Sequence, residues 1–379
     1  MIIYFTQPNF KDLLLMTPSS KKSRIIFIDL MRAFAVLQMV QGHTTDVLLS
    51  NNYRNMDSTV FSFWFFMRGM TAPIFLFTAG TVFMYLFRLV NEPFNSNPRV
   101  KKGIKRFLLL LTIGYLLRYP TATIVNFSNV TAEQWSTFFA VDVLHMIGFG
   151  ILFLMIIAFI SEKLKLNDYF SFSAGALLFF GLYQPFSSIN WLHYFPAPIA
   201  GYFYAGTGSN FPLFPWVGYV IAGGVLGSYL AKHPLIFKSI RFSLTLAAFG
   251  AGFIILALIG NEVEQLIYGH TNFWTTSPNL IFYRMGIVLI LNSIVSFISL
   301  KVDSIPRIFI LIGRNTLLIY VVHLVILYGS AWNPGLDSLL DKSLNVWQTI
   351  GMALLMIIAM TTMVVVIHKL KLRNKQMEA

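Results

Sequence analysis

The chain has 379 residues, of which 56% are hydrophobic and 11% charged, with a mean hydropathy of +0.68. Soluble domains carry about a quarter charged residues, so this composition excludes an ordinary soluble fold. The net charge of +13 would suit nucleic acid, but its distribution, described below, assigns it to a membrane face instead. There is no cysteine, which removes disulfides, thiolate metal sites and cysteine nucleophiles.

The first 24 residues, MIIYFTQPNFKDLLLMTPSSKKSR, make a poor signal peptide, because Lys11 and Asp12 interrupt short apolar pieces. They read as a cytoplasmic N-terminal tail over residues 1–24. Apolar runs of near membrane-spanning length then recur to the end of the chain. The predicted spans are 25–49, 60–90, 104–124, 141–160, 169–184, 213–231, 242–260, 279–300, 307–328 and 346–368. The fold class is therefore all-α: a polytopic helical bundle of about ten transmembrane helices over residues 25–368, with a basic cytoplasmic tail at 369–379. With the N-terminus inside, 21 basic residues fall on cytoplasmic segments, and only Arg54 and Lys342 on the opposite side. Missing one span would move every later loop across the membrane and destroy that split, so both termini are expected in the cytoplasm. No short repeat and no similarity between the halves is visible.

Ionisable groups inside spans are functional candidates by default. In the first span, MRAFAVLQMVQGH separates Arg32 from His43 by eleven residues. At 100° per residue this is three turns plus about 20°, so both share one helix face, roughly 16 Å apart along the axis. Asp29 and Asp46 extend the stripe. The bland alternative has Arg32 snorkelling or pairing with Asp29, and His43 merely interfacial.

In the fourth span, VDVLHMIG places Asp142 and His145 at i and i+3, so the carboxylate can orient the imidazole or simply cap the helix. In GRNTLLIYVVH, Tyr320 and His323 share a face of the ninth span, with Arg314 and Asn315 deeper; for His323 alone a structural hydrogen bond is the plainer role. Arg284 lies in the outer part of the eighth span. Arg68 and Arg118 read as interfacial anchors. APIFLFTAG and FPLFPWVGYVIAGGVLG supply small residues for close helix packing, and the aromatic segment SSINWLHYFPAPIAGYFYAGTGSN suits either a sugar platform or an interfacial belt. The histidines are scattered, no ligand spacing for a metal appears, and no dinucleotide-type glycine loop is present.

These segments resemble a known family. An arginine and a histidine so spaced in the first span are the hallmark of the transmembrane acyltransferase superfamily. The order RIIFIDLMRAFAVLQMVQGH, APIFLFTAG, VDVLHMIG, FPLFPWVGYVIAGGVLG, GRNTLLIYVVH looks like bacterial relatives of heparan-alpha-glucosaminide N-acetyltransferase, over roughly residues 24 to 328. Two departures are Ala33, where the family usually has Gly, and His43, where the human-type enzymes have Asn.

The resemblance implies a multi-pass protein of the inner (cell) membrane. It would take an acyl group, acetyl by default, from cytosolic acyl-CoA to a hydroxyl or amine of an extracytoplasmic sugar or glycan. No metal and no nucleic acid is implied. In that reading His43 is the general base, Asp46 or Asp142 orients it, and His145 assists or binds the acceptor. Arg32 contacts the acyl-CoA, Arg284 and Asn315 are further site residues, and Tyr320 and His323 line the cavity. The basic face with Lys101, Lys102, Lys105 and Arg106 would keep the CoA phosphates near the cytosol. The competing class is a transporter or flippase for a glycan or lipid-linked sugar. It lacks the midplane carboxylates expected of proton coupling, since Asp29 lies near the inner end and Asp142 near the outer end.

Overall fold

The structure is a computed structural model describing residues 26–233, 235–302 and 305–377. The predicted tail 1–24 lies outside the described residues. The described chain is helical, with two isolated β-bridges and no strand. The protein is an all-α polytopic membrane protein. The principal helices are α1 (Ile26–Leu48), α2 (Thr59–Arg88), α3 (Pro98–Leu116), α4 (Ala132–Phe139), α5 (Val143–Lys163), α6 (Asp168–Gly181), α7 (Leu213–Lys232), α8 (Ile240–Tyr268), α9 (Asn279–Leu300), α10 (Arg307–Arg314), α11 (Thr316–Tyr328), α12 (Leu336–Leu340) and α13 (Val346–Met377).

Every predicted span falls on helix. Six of the described helices are long and apolar enough to cross a membrane, seven counting one bent pair. Of the remaining predicted spans, α1 carries the polar stripe, the first turns of α3 carry Arg99, Lys101, Lys102, Lys105 and Arg106, and α6 has 14 residues.

Three expectations are corrected. The third helix starts at Pro98 rather than 104, because Asn97 caps it by accepting from the Arg99 amide at 2.9 Å and Pro98 is preset for the first turn. It also stops at Leu116, ahead of Pro120. The ninth span is not one straight helix: α10 and α11 meet at 75°. Asn315 sits at the break with φ −109° and ψ 27°, and its side-chain amide donates to the Leu311 carbonyl at 2.8 Å, alongside its own backbone amide at 3.1 Å, so the last carbonyls of α10 are held at the bend. Finally, α13 runs past the predicted end at 368, to Met377.

Small residues set the bundle's closest contacts. The α2–α7 pair makes the most extensive contact in the chain. A Cβ on Gly80 would fall on the Val220 carbonyl, one on Gly223 on the Phe77 carbonyl, and one on Gly227 on the Thr81 carbonyl. Here backbone meets backbone with no side chain between, as small-residue packing in lipid allows. The α8–α9 pair repeats the device with Gly250 and Gly286, each facing the other's carbonyl, and adds a Ser243–Ser296 hydroxyl bond of 2.7 Å.

The α1 helix is central, packed on α2, α9, α10, α11 and α13. Ala33, Ala35, Val36 and Val40 are buried at 0–1% exposure, so α1 is enclosed on that side through its middle turns. At the basic end, Asp168 binds Arg88 at 2.7 Å and Lys232 at 3.4 Å, which clamps α2, α6 and α7. The lipid-facing flank is α8 and α13, of which little is buried.

Candidate active site

At the end of the bundle away from the basic helix ends lies a cavity of about 1050 Å³. Its floor and walls come from Met39, His43 and Asp46 on α1, Arg68 and Phe75 on α2, and Trp216, Arg284, Tyr320 and Tyr328 on α7, α9 and α11. Arg118 and Asp142 flank it. One side is covered by α4, which turns Glu133, Gln134, Ser136 and Thr137 toward the space while Trp135 and Phe138 pack against each other and their aromatic neighbours. The α4 helix went unread in the sequence, although a signal existed. Thr131 and Gln134 form a capping box, with the Gln134 amide at 3.2 Å from the threonine hydroxyl and the Thr131 amide at 2.8 Å from the glutamine side chain.

The first-span stripe survives because α1 is unbroken from Ile26 to Leu48. Its two ends lie in different surroundings. His43 reaches the cavity, and its Nδ1 lies 3.1 Å from the Tyr328 hydroxyl. His323 packs beside it, ring centroids 5.5 Å apart, fully buried, with Nδ1 2.8 Å from the Ile319 carbonyl. That bond sets His323 as a donor at Nδ1, and the ring lies behind His43 without bordering the cavity, so the expectation that it lines the cavity is corrected. Tyr320 lines the floor, stacked on Phe75.

Asp46 is not on the imidazole. It pairs with Arg68 at 2.5 Å and with Arg54 at 3.3 Å, and Arg54 also donates to the Leu49 carbonyl at 3.0 Å, closing the end of α1. The sequence reading of Arg68 as a lipid anchor is replaced: it lines the cavity and neutralises Asp46. Arg118 also lines it, donating to the Ala140 carbonyl at 2.8 Å. Arg284 stands over the Trp216 ring at 5.8 Å from its centroid, a cation–π contact.

Asp142 and His145 are brought together, but only the carboxylate borders the cavity. Asp142 Oδ1 accepts from the Leu144 amide at 2.9 Å and the His145 amide at 3.3 Å, and lies 2.9 Å from His145 Nδ1. The Asp142 amide also lies 3.2 Å from the same Nδ1, and one nitrogen cannot donate and accept at once. The shorter, charge-assisted contact selects the Nδ1–H form. The cap and the imidazole partner are thus one arrangement. His145 itself is 0% exposed, behind Tyr115 and Tyr202, and Gly114 leaves room for its ring. Its expected place beside the acceptor is not where the fold puts it. Tyr202 seals this wall; burial, together with its 2.6 Å bond to the Tyr115 hydroxyl, pushes its phenol well above the usual range.

Arg32 and Asn315 do not border the cavity, whose α1 lining stops at Met39. Arg32 lies within electrostatic reach of Asp29, Arg106 and Arg314, nearer the basic end, where Gly313 of α10 crosses α1 closely enough that a Cβ would sit 3.5 Å from Arg32 Cβ. Among the described residues no three His, Asp or Glu side chains gather as a metal site.

A family profile described as heparan-alpha-glucosaminide N-acetyltransferase, catalytic, matches residues 24–268, well over half of the chain. The chain belongs to this family. A search of curated proteins gave no match. The heparan-alpha-glucosaminide N-acetyltransferase match covers α1 to α8 and so includes His43, Asp46, Arg68, Asp142 and Trp216. Arg284, Tyr320 and Tyr328 lie beyond it, so one wall of the cavity is built by the part of the chain that the profile does not reach.

Proposed function

We propose that this protein transfers an acyl group, acetyl by default, from acyl-CoA on the cytosolic side to a hydroxyl or amine of a sugar or glycan on the far side of the cell membrane. The observation that carries the reading is His43: an imidazole on the cavity wall, held through Nδ1, one continuous helix away from Arg32 at the basic end.

Acyl transfer needs a deprotonated acceptor and a stabilised oxyanion. In this reading His43 takes the proton from the acceptor hydroxyl or amine as that atom attacks the thioester carbonyl. The carbon–sulfur bond breaks, and the leaving thiolate recovers a proton from the imidazolium. Arg68, Arg118 and Arg284 are the cations nearest the space where the acceptor and the carbonyl oxygen would lie. The exposed Lys101, Lys102, Lys105 and Arg314, with the half-buried Arg106 and Arg32, form a cationic surface suited to the CoA phosphates. Between the two groups α1 is packed shut at Val36 and Val40. The thioester arm therefore needs the bundle to part there, and the α10–α11 break beside Arg32 is the natural place. The one-sided distribution of Lys and Arg supports a cytosolic basic end.

The test uses inverted membrane vesicles supplied with acetyl-CoA labelled in the acetyl group. Label should appear on a lumenal glycan and be lost with His43→Ala, by about 10²- to 10⁴-fold, the usual contribution of a general base. Glycan export that continues without any acyl-CoA, and is indifferent to His43, would instead identify a transporter.

A further inference from the structure

An imidazole acts as a base only if the nitrogen facing the substrate carries the lone pair. Free neutral imidazole side chains favour the opposite arrangement, with hydrogen on Nε2. Some group must therefore hold the hydrogen of His43 on Nδ1. The sequence offered Asp46 or Asp142 for this. The fold assigns both elsewhere: Asp46 is neutralised by Arg68 and Arg54, and Asp142 caps α5 and binds His145. His323 touches the His43 ring but has committed its Nδ1 to the Ile319 carbonyl. Among the described residues, the Tyr328 hydroxyl at 3.1 Å is the one hydrogen-bond partner of the His43 ring.

The tyrosine is built for a fixed position. It is the last residue of α11, and its ring meets the imidazole edge-on, centroids 5.9 Å apart at 84°. The next residue, Gly329, has φ +72°, a conformation that favours glycine. The turn it starts folds straight back on the helix end: the Ser330 amide donates to the Asn333 carbonyl at 2.9 Å, and the Asn333 side chain donates to the Val325 carbonyl at 3.2 Å. A Cβ on Gly329 would meet the Gly335 amide nitrogen at 2.6 Å, so the turn has no room to shift.

We infer that Tyr328 is the positioning residue of this site: its phenol oxygen accepts the Nδ1–H of His43, which leaves the Nε2 lone pair facing the cavity. This deepens the acyltransferase reading and rests on it for the direction of the bond, whereas the 3.1 Å contact itself does not. A neutral phenol holds the tautomer without adding a negative charge beside the ring. The same Nδ1–H···O bond persists when His43 takes up a proton, so the ring does not reorient between the two halves of the transfer.

The tautomer is read directly from the ¹⁵N shifts of His43 in the full chain, labelled at its histidines, reconstituted in lipid, and recorded at a pH where the ring is neutral. The assignment comes from loss of the signal in His43→Gln. Wild type should show the Nδ1–H pattern; Tyr328→Phe should shift it toward Nε2–H; Asp46→Asn should leave it in place. In acetyl transfer, Tyr328→Phe should lower kcat by roughly 10- to 100-fold with little change in KM for either substrate. An Nε2–H pattern in wild type, or an Nδ1–H pattern that survives Tyr328→Phe, overturns the inference. If the tautomer behaves as stated and no acyl transfer is found with any acceptor, the positioning role stands and the proposed reaction falls.

Discussion

Asp142 carries a prediction that separates capping from charge. All three of its short contacts end on one oxygen, Oδ1, which accepts from two backbone amides and from His145 Nδ1. Asp142→Asn can therefore keep all three with its amide oxygen. Asp142→Ala loses them together. Loss of the cap costs about 0.5–2 kcal/mol. The His145 N–H, at 0% exposure, is then stranded without water, for about 1–3 kcal/mol more. The alanine variant should thus lose roughly 2–5 kcal/mol and the asparagine variant a small part of that. The assay is the unfolding midpoint in detergent, followed by tryptophan fluorescence, for wild type, both variants and Asp142→Ala with His145→Leu. The double variant should recover part of the loss, because it removes the stranded donor. If Asn is as damaging as Ala, the carboxylate charge matters more than the cap, and the argument from Oδ1 is wrong.

Other expectations follow from the packing and the charge distribution. Gly223→Leu drives a side chain into the Phe77 backbone and should cost at least the 1–3 kcal/mol typical of overpacking, whereas Gly252→Leu, with nothing within 4 Å of its Cβ, should leave the midpoint unchanged. Asp168→Ala should loosen the basic end by about 1–3 kcal/mol, read as a lower midpoint, because Arg88 and Lys232 lose their shared acceptor. Since the chain has no cysteine, single replacements report topology without background. In sealed right-side-out vesicles a membrane-impermeant maleimide should label Thr123→Cys and spare Lys102→Cys, both at exposed positions. The reverse pattern would turn the protein over in the membrane and end the proposed direction of transfer.

The fold class was legible because lipid imposes it: apolar runs of spanning length and one-sided basic charge leave few other architectures. Helix ends were less legible, since Asn97 and Pro98 start α3 inside a run of cations that composition reads as loop. The break at Asn315 was hidden because residues 307–328 are on average apolar enough for one span, and the polar Arg314–Asn315 pair inside it does not by itself distinguish a bend from a site. At the site, His43 and Tyr320 were visible as polar positions within apolar segments. Their partners were not. Tyr328 is 285 positions from His43, and nothing in local spacing joins them. Arg68 and Arg118 looked like anchors because an arginine at a helix end is the same in sequence whether it faces lipid headgroups or a cavity. Arg32 shares a face with His43, but the cavity does not extend to it, which a helical wheel cannot tell.

The glycine contacts between α2 and α7 have a mechanical meaning. Where Gly80, Gly223 and Gly227 set main chain against main chain, no flexible side chain remains to absorb a sliding motion, and any small axial slip drives peptide oxygens into carbon. These two helices must travel as one rigid spar. In the proposed reaction, any opening for the donor would therefore fall on the other flank of α1, where α10 and α11 already part at 75°.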